Sequence, residues 1–262
     1  PYRPVACMAY HMAQQELGFQ ALRAMISVFM LLGAVEAVGG MRIDSTWKVH
    51  DNYKKLDETK VKDPPYDVTL KDSKYFPINS TSPSVVAKAM LDPAKYGVDY
   101  VPEVLILHMA NPVLSFGSQR LIKDAYAKFK FVAVIDPWLS ETADLFADVV
   151  LPAATMEKYE GPVSASDSYV DATAVRVPAM APLFQSRGEI DIYLGLAEAA
   201  GILTGAGGFL DEINKALGLK APYALALDRK PEVRDIFDRW ARSQGLAEGV
   251  AKFEKDGVWV KG

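Results

Sequence analysis

Cysteine is almost missing from this chain: the 262 residues include only Cys7. One thiol forms no internal disulfide and holds neither an iron–sulfur cluster nor a structural zinc. Histidine is nearly as scarce. His11, His50 and His108 are scattered without ligand spacing, and there is no HExxH or CxxC, so the chain is not expected to build a metal site of its own. Excess basic charge is also lacking. The net charge is −4, which argues against the basic face that nucleic-acid binding needs. The most apolar run, about residues 24–38, is shorter than the ~20 residues of a spanning helix, and Glu36 interrupts it. A buried helix is the expectation there, and no transmembrane segment is expected anywhere. Pro1-Tyr2-Arg3-Pro4 has none of the charged start and apolar stretch of a signal peptide. The chain opens without Met on a strand-like run and stops on an apolar tail, Gly257-Val258-Trp259-Val260, so it reads as an internal piece of something longer.

What is present is ample material for a core. Half of the residues are hydrophobic, enough for one large α/β domain or two smaller ones. PVACMAY, residues 4–10, reads as a short buried strand. From about Met12 to Val38, apolar residues recur at three- and four-residue steps (Leu17, Ala21, Met25, Val28, Phe29, Leu32, Val35), which predicts a long helix stopped at Gly39-Gly40. Residues 41–81 are rich in Lys and Asp, with Pro64-Pro65 and Pro77. They read as a surface excursion with little regular structure, long for a compact domain.

The clearest block follows a short helix over residues 84–90. EVLILHM (103–109) and FVAVI (131–135) are continuous apolar strands, and Val149 to Leu151 is a third. Helices over 119–128 and 141–146 separate them. Strand–helix–strand–helix–strand with unbroken apolar strands predicts α/β architecture: a parallel, Rossmann-like sheet with helices on both faces. Residues after Gly161 read as irregular to about Ser186. Helices are expected over 189–200, 209–217 and 231–244. The organisation expected is an α/β domain over 1–201, with an insertion at about 41–82, and a helical closing segment over 202–262.

Ligands of open parallel sheets bind beyond the carboxyl ends of the strands. Here those ends are polar: Asn111-Pro112 and Ser115 after the first strand, Asp136 then Ser140-Glu141-Thr142 after the second, Pro152 to Thr155 after the third. Asn and Ser hydrogen-bond phosphate or ribose oxygens, and helix starts offer free N–H groups to anions. An Asp suits a ribose hydroxyl or a guanine N–H edge. Each residue also has a plain structural alternative: Ser140 as an N-cap, Asn111-Pro112 as a turn, Asp136 as a loop carboxylate. Taken together the three strand ends point to a nucleotide-like ligand, without choosing the nucleotide. Gly205-Ala206-Gly207-Gly208 follows a helix rather than a strand and reads as a connector, not a phosphate loop. Glu157 and Glu160 read as loop surface charges rather than an acid–base pair. Charges at helical spacing from Arg234 to Arg242 read as a solvated face, and Tyr223, Trp240 and Trp259 as core or docking residues.

The stretch FVAVIDPWLSETADLFADVVLPAATMEKYEG, Phe131 to Gly161, resembles the signature of the molybdopterin oxidoreductases of the dimethyl sulfoxide reductase family: strand, Asp, an S/T-E-T-A step, A-D-V-V-L-P-A, then Glu and Gly. Upstream, Asn111-Pro112 matches the family's NP step. Downstream, Arg187 to Gly201 resembles the segment before its closing helices. Two departures stand out. The spacing from Glu141-Thr142-Ala143 to Ala147-Asp148 is one residue longer than the common pattern, and residues 162–166 lack the Asn-x-Glu-Gly-Arg run.

The resemblance implies a cofactor-binding fragment of a molybdenum or tungsten enzyme that transfers electrons or an oxygen atom. The cofactor is molybdopterin guanine dinucleotide, held in pairs between pseudo-symmetric α/β domains. By motif match Asn111, Pro112, Ser115, Asp136, Glu141 and Thr142 would line one guanine dinucleotide. Glu160 and Gly161 match the turn after LPA, and Gln14 and Gln15 lie where the family's chain approaches the pterin. The metal ligand lies upstream in the family, so the fragment alone is not expected to turn over. The implied partners are the rest of the catalytic subunit and an iron–sulfur electron-transfer subunit. The alternative is a non-catalytic scaffold subunit of a respiratory complex that keeps the fold without the cofactor; an unrelated nucleotide-binding module is the third reading.

Overall fold

In the computed structural model the described residues are 17–35, 37, 40–41, 47–48, 70, 73–75, 83–166 and 171–261. The elements begin with α1 (Gly18–Leu31), β1 (Trp47–Lys48), α2 (Pro83–Leu91), β2 (Val104–His108) and α3 (Pro112–Ser115). Next come α4 (Gln119–Tyr126), β3 (Phe131–Asp136), α5 (Glu141–Phe146), β4 (Val149–Pro152), β5 (Glu160–Ser166) and β6 (Asp171–Arg176). The chain closes with α6 (Glu189–Ala199), α7 (Phe209–Leu217), α8 (Val233–Ser243), α9 (Val250–Asp256) and β7 (Val258–Lys261). The elements form two compact units. One contains α1, β1, residues 162–174 of β5 and β6, and β7; the other contains β2–β4 and α2–α9.

The larger unit is α/β. Its sheet is parallel, in the order β2-β3-β4, with Val104 opposite Phe131, His108 opposite Ile135, and Asp136 opposite Pro152. The strands are apolar on both sides because both faces carry helices. On one face Leu107, Val132 and Val134 pack with Ala143 of α5 and with Tyr126, Phe129 and Phe146. On the other, Ile135 and Ala153 pack with Ile192 of α6. Alternation along β3 separates the two sets, since Val134 and Ile135 point to opposite sides. The cover on the α6 side stops partway down the strands, leaving Val104, Ile106, Phe131 and Val149 exposed. Behind α4, a second cluster joins Ala87 and Met90 of α2 to Ile122 and Ala125.

α8 and α9 pack through Trp240 and Phe253, whose rings lie 6.5 Å apart, both almost wholly buried. The charged positions of α8 form i,i+4 pairs, Arg239 with Asp235 and Arg242 with Asp238. Asp238 also accepts from the backbone N–H of Val250 at 3.0 Å and so starts α9.

The smaller unit has a four-stranded sheet, β1-β5-β6-β7. β1 runs antiparallel to β5 and β6 antiparallel to β7. This corrects the irregular reading of residues 162–186 over 162–166 and 171–176, while residues 177–186 are irregular as expected. The strands there carry Ser, Ala and Thr in place of large apolar residues, so period-two alternation is faint. It also gives β1, inside the lysine-rich excursion, a strand partner.

α1 departs from expectation twice. It ends at Leu31 rather than at Gly39-Gly40. Gly33 takes φ +61°, its N–H donates to Met30 O, and the Ala34 N–H donates to Phe29 O. That is the reciprocal pair of bonds by which a left-handed glycine closes a helix. Nor is the helix buried: Phe19, Val28, Met30 and Leu31 are all exposed. Its apolar residues run consecutively around the axis from Val28 to Leu32, and one packing face cannot cover them all. The strand expected over residues 4–10, with Cys7 and His11, lies outside the described residues, as does His50. Among the described residues no helix is long and apolar enough to cross a membrane.

Trp240→Ala is expected to cost ~3–5 kcal/mol, read as a lowered urea midpoint. A change under about 1 kcal/mol would show that the α8–α9 contact does not hold this end of the unit together.

Candidate functional site

The carboxyl end of the parallel sheet is organised by one buried hydroxyl. Thr142, fully buried in the first turn of α5, donates from Oγ1 to Asn111 Oδ1 at 2.8 Å and accepts the Val113 N–H at 3.0 Å. Asn111 Oδ1 also accepts the Thr142 N–H at 3.3 Å, and Asn111 Nδ2 donates to Glu141 Oε2 at 2.5 Å. The turn after β2 is thereby tied to the turn after β3. Pro112 supports it, buried at the first position of α3, where a missing N–H costs nothing. The Asn111 amide, assisted by the Glu141 backbone N–H, holds the Glu141 carboxyl below its ordinary value. Ser140 is an N-cap, accepting from the Ala143 N–H at 3.3 Å.

Asp136 ends the central strand and is 8% exposed. Its Oδ1 accepts the Trp138 N–H at 2.8 Å. Its Oδ2 has no hydrogen-bond partner among the described residues. Buried carboxylate oxygens are ordinarily paired, so an open one marks a place for a donor. Around it the chain is exposed and largely apolar: Met109, Leu114, Trp138 and Leu139 all face solvent. The hydroxyl of Ser115, at the end of α3, is exposed and without a partner among the described residues.

Thus Asn111, Glu141 and Thr142 form one network, Pro112 belongs to the turn it secures, and Asp136 and Ser115 flank it with open polar atoms. Glu160 and Gly161 stand apart from this network. Glu160 pairs with Arg176 at 2.5 Å and lies 3.8 Å from Lys158. Gly161 is within β5 at φ +118°. Gln14 lies outside the described residues, as does Gln15.

A second polar cluster was not legible beforehand. Lys158, almost completely buried, reaches Glu189 at the start of α6 at 2.5 Å. His108, the last residue of β2, has Nε2 at 3.9 Å from Glu189 and Nδ1 at 3.1 Å from the Tyr193 hydroxyl. Burial and the Glu189 charge raise the Tyr193 phenol above its ordinary value. The members come from three separate places in the chain, so no local motif announces them. Among the described residues no group of three or more His, Cys, Asp or Glu could hold a metal ion.

Glu157 is buried, contrary to its reading as a surface charge. The loop turns its carboxylate inward to accept from the Thr155 N–H at 2.8 Å and hydroxyl at 3.2 Å. The Thr155 N–H is the main cause of its lowered pKa. In the glycine run before α7 the Gly207 N–H donates to Asp211 at 2.8 Å, and the Gly205 and Gly208 N–H groups donate to Leu227 O and Gly205 O.

No protein-family profile matches the chain, and no curated protein matches it.

Two predictions follow from this geometry. Thr142→Val removes a buried hydroxyl and strands the Val113 N–H, and should cost ~1–3 kcal/mol in denaturant unfolding; an unchanged midpoint would show that the network is dispensable. A lowered folded-state pKa stabilises above the unfolded value and is lost as pH falls through the folded one. Glu157→Gln should therefore destabilise the chain at neutral pH, with the deficit vanishing at acid pH below the ordinary carboxylate range. A deficit that stays constant with pH, read from unfolding curves, would rule this out.

Proposed function

We propose that this chain is the dinucleotide-cradling part of a molybdenum- or tungsten-dependent oxidoreductase. The carboxyl end of β2-β3-β4 is where one guanine dinucleotide rests. The observation that carries the reading is Asp136: a buried carboxylate with one oxygen unpaired, at the end of the middle strand of a parallel sheet, where such folds take nucleotides. The resemblance of Phe131 to Gly161 to the molybdopterin signature chooses the ligand.

The residues fit such a group. A carboxylate with a free oxygen accepts from a guanine N–H edge or a ribose hydroxyl. Ser115 offers a donor for ribose or phosphate oxygens. Trp138 offers a flat apolar face beside them, still wet. Asn111, Glu141 and Thr142 act by position: their side chains spend their hydrogen bonds on one another and keep the two turns at a set spacing. When bound, the cofactor supplies the metal and the redox-active pterins for electron or oxygen-atom transfer. What the protein contributes in these residues is grip and orientation. In this reading the rest of the catalytic subunit completes the cradle, and an iron–sulfur subunit exchanges electrons with it.

The scaffold reading draws on one observation too. The Asn111–Thr142–Glu141 network is closed without a ligand, so the fold can persist where the cofactor has been lost.

The experiment is an assay of the full-length native protein for molybdenum, tungsten and released guanine nucleotide. Metal and nucleotide together are expected; a well-folded protein free of both would leave the scaffold. Asp136→Ala should release the nucleotide about ten- to a hundredfold more readily, as loss of a charged hydrogen bond of ~1.5–3 kcal/mol requires. Retention equal to the parent would remove Asp136 from the site.

A further inference from the structure

A cleft of about 730 Å³ is lined by β4, by the loop before α6 and by α6 itself. We propose that it binds a small amphipathic carboxylate, with an apolar body lying along α6 and its one charged group held by Arg187. This site is separate from the one proposed for the nucleotide. Its floor is on the face of the sheet that α6 covers, whereas the Asp136 side chain follows Val134 to the α5 face.

The first observation is length. Asp191, Gly195 and Glu198 line the cleft at four- and three-residue steps, with Ile192 and Leu196 beside them. The cleft therefore runs along the helix for ~10 Å, at a rise of ~1.5 Å per residue. An elongated ligand fits that shape, and the volume lies within the range of small-molecule clefts.

The second is an apolar floor with room above it. Leu151, Ile192 and Leu196 line the cleft, and Phe184, wholly exposed, is the one aromatic side chain in the lining. Gly195 keeps the middle open; the nearest atom to a Cβ built there is Lys230 Nζ, at 3.8 Å. Glycine weakens a helix interior, and here its missing side chain is what leaves the cleft its depth.

The third is the charge at each end. Arg187 stands just before α6, and its backbone is fixed from both sides: its N–H donates to Pro152 O at 3.1 Å, and its carbonyl accepts the Ala154 N–H at 2.8 Å. Its guanidinium has no partner among the described residues. A planar fork of donors on a fixed backbone, beside an apolar floor, suits a carboxylate. Lys230 is less free, because Asp191 lies 3.8 Å from it. At the far end of α6 stands Glu198, also without a partner among the described residues. Its carboxylate repels a second negative group there. An open cation at one end, an open anion at the other and an apolar floor between them select a ligand with a carboxylate at one tip only.

The test uses the full chain and three probes of equal carbon count, octanoate, octan-1-ol and octanedioate, followed by calorimetry. Octanoate is expected to bind and to shift the Leu151 and Gly195 amide signals. Octan-1-ol loses the charge, and octanedioate brings a second carboxylate against Glu198; each should bind at least tenfold more weakly. Arg187→Gln keeps both backbone bonds and should weaken octanoate about ten- to a hundredfold, as loss of a charge-assisted hydrogen bond requires. Gly195→Leu, a better helix former that fills the cleft, should weaken it at least tenfold. Glu198→Gln should bring octanedioate close to octanoate. No binding of octanoate, equal binding of octan-1-ol or of octanedioate, or octanoate binding unchanged by Arg187→Gln would each overturn the proposal. The probe comparison needs no substitution and holds even if a variant fails to fold. Metal and nucleotide content play no part in it, so its failure and that of the nucleotide reading are distinguishable.

Discussion

One buried hydroxyl carries the geometry of the sheet's working end. Thr142 has no exposed surface, and it bonds at once to the Asn111 side chain in the turn after β2 and to the backbone that begins α3. Two strand-to-helix turns, about thirty residues apart in sequence, are therefore held by a single side chain. A parallel sheet needs such a device. Its strands are joined by long crossovers rather than tight hairpins, so nothing local sets the distance between neighbouring turns. Asn111 contributes both the oxygen and the nitrogen of its amide to this link, and Glu141 closes it from the solvent side.

With those side chains spent on each other, the atoms left open gain meaning. Asp136 keeps one carboxylate oxygen in reserve at the end of the central strand. The same logic applies at the other clusters. Lys158 is tolerable when buried because Glu189 meets it directly, and His108 and Tyr193 pack and bond around that pair. Glu157 is tolerable because the Thr155 N–H and hydroxyl converge on it. Buried charge meets a partner in each of these places, and at both Asp136 and Glu157 the donors converge on one carboxylate oxygen.

How far the chain could be read in advance differs from element to element. Residues 104–108, 131–136 and 149–152 were legible as strands because a parallel sheet buries both sides of a strand, which leaves an unbroken apolar run. α5 and α7 were legible to the residue: Ser140 caps the start of α5, and the left-handed Gly218 ends α7. β5 and β6 were hidden by their small residues. The exposure of α1 was hidden because a continuous apolar run reads as buried whichever way it faces, and Gly33 closed the helix before the more conspicuous glycine pair was reached. Among the candidate site residues, Asn111, Ser115, Asp136, Glu141 and Thr142 were legible through their position after strands. Which of them spend their polar atoms internally was not, because that depends on distances between turns.

The sequence by itself determined that this protein has a three-stranded parallel sheet with helices against it and polar residues gathered at its carboxyl end. Periodicity and strand-end composition are local properties, written in consecutive residues. Only the tertiary structure decided that Thr142 and Asn111 lock to each other while Asp136 stays half-paired. It alone decided that His108, Lys158, Glu189 and Tyr193 meet. Those facts rest on pairings between segments tens of residues apart, and a hydrogen bond between such segments exists only once the fold has set the distance.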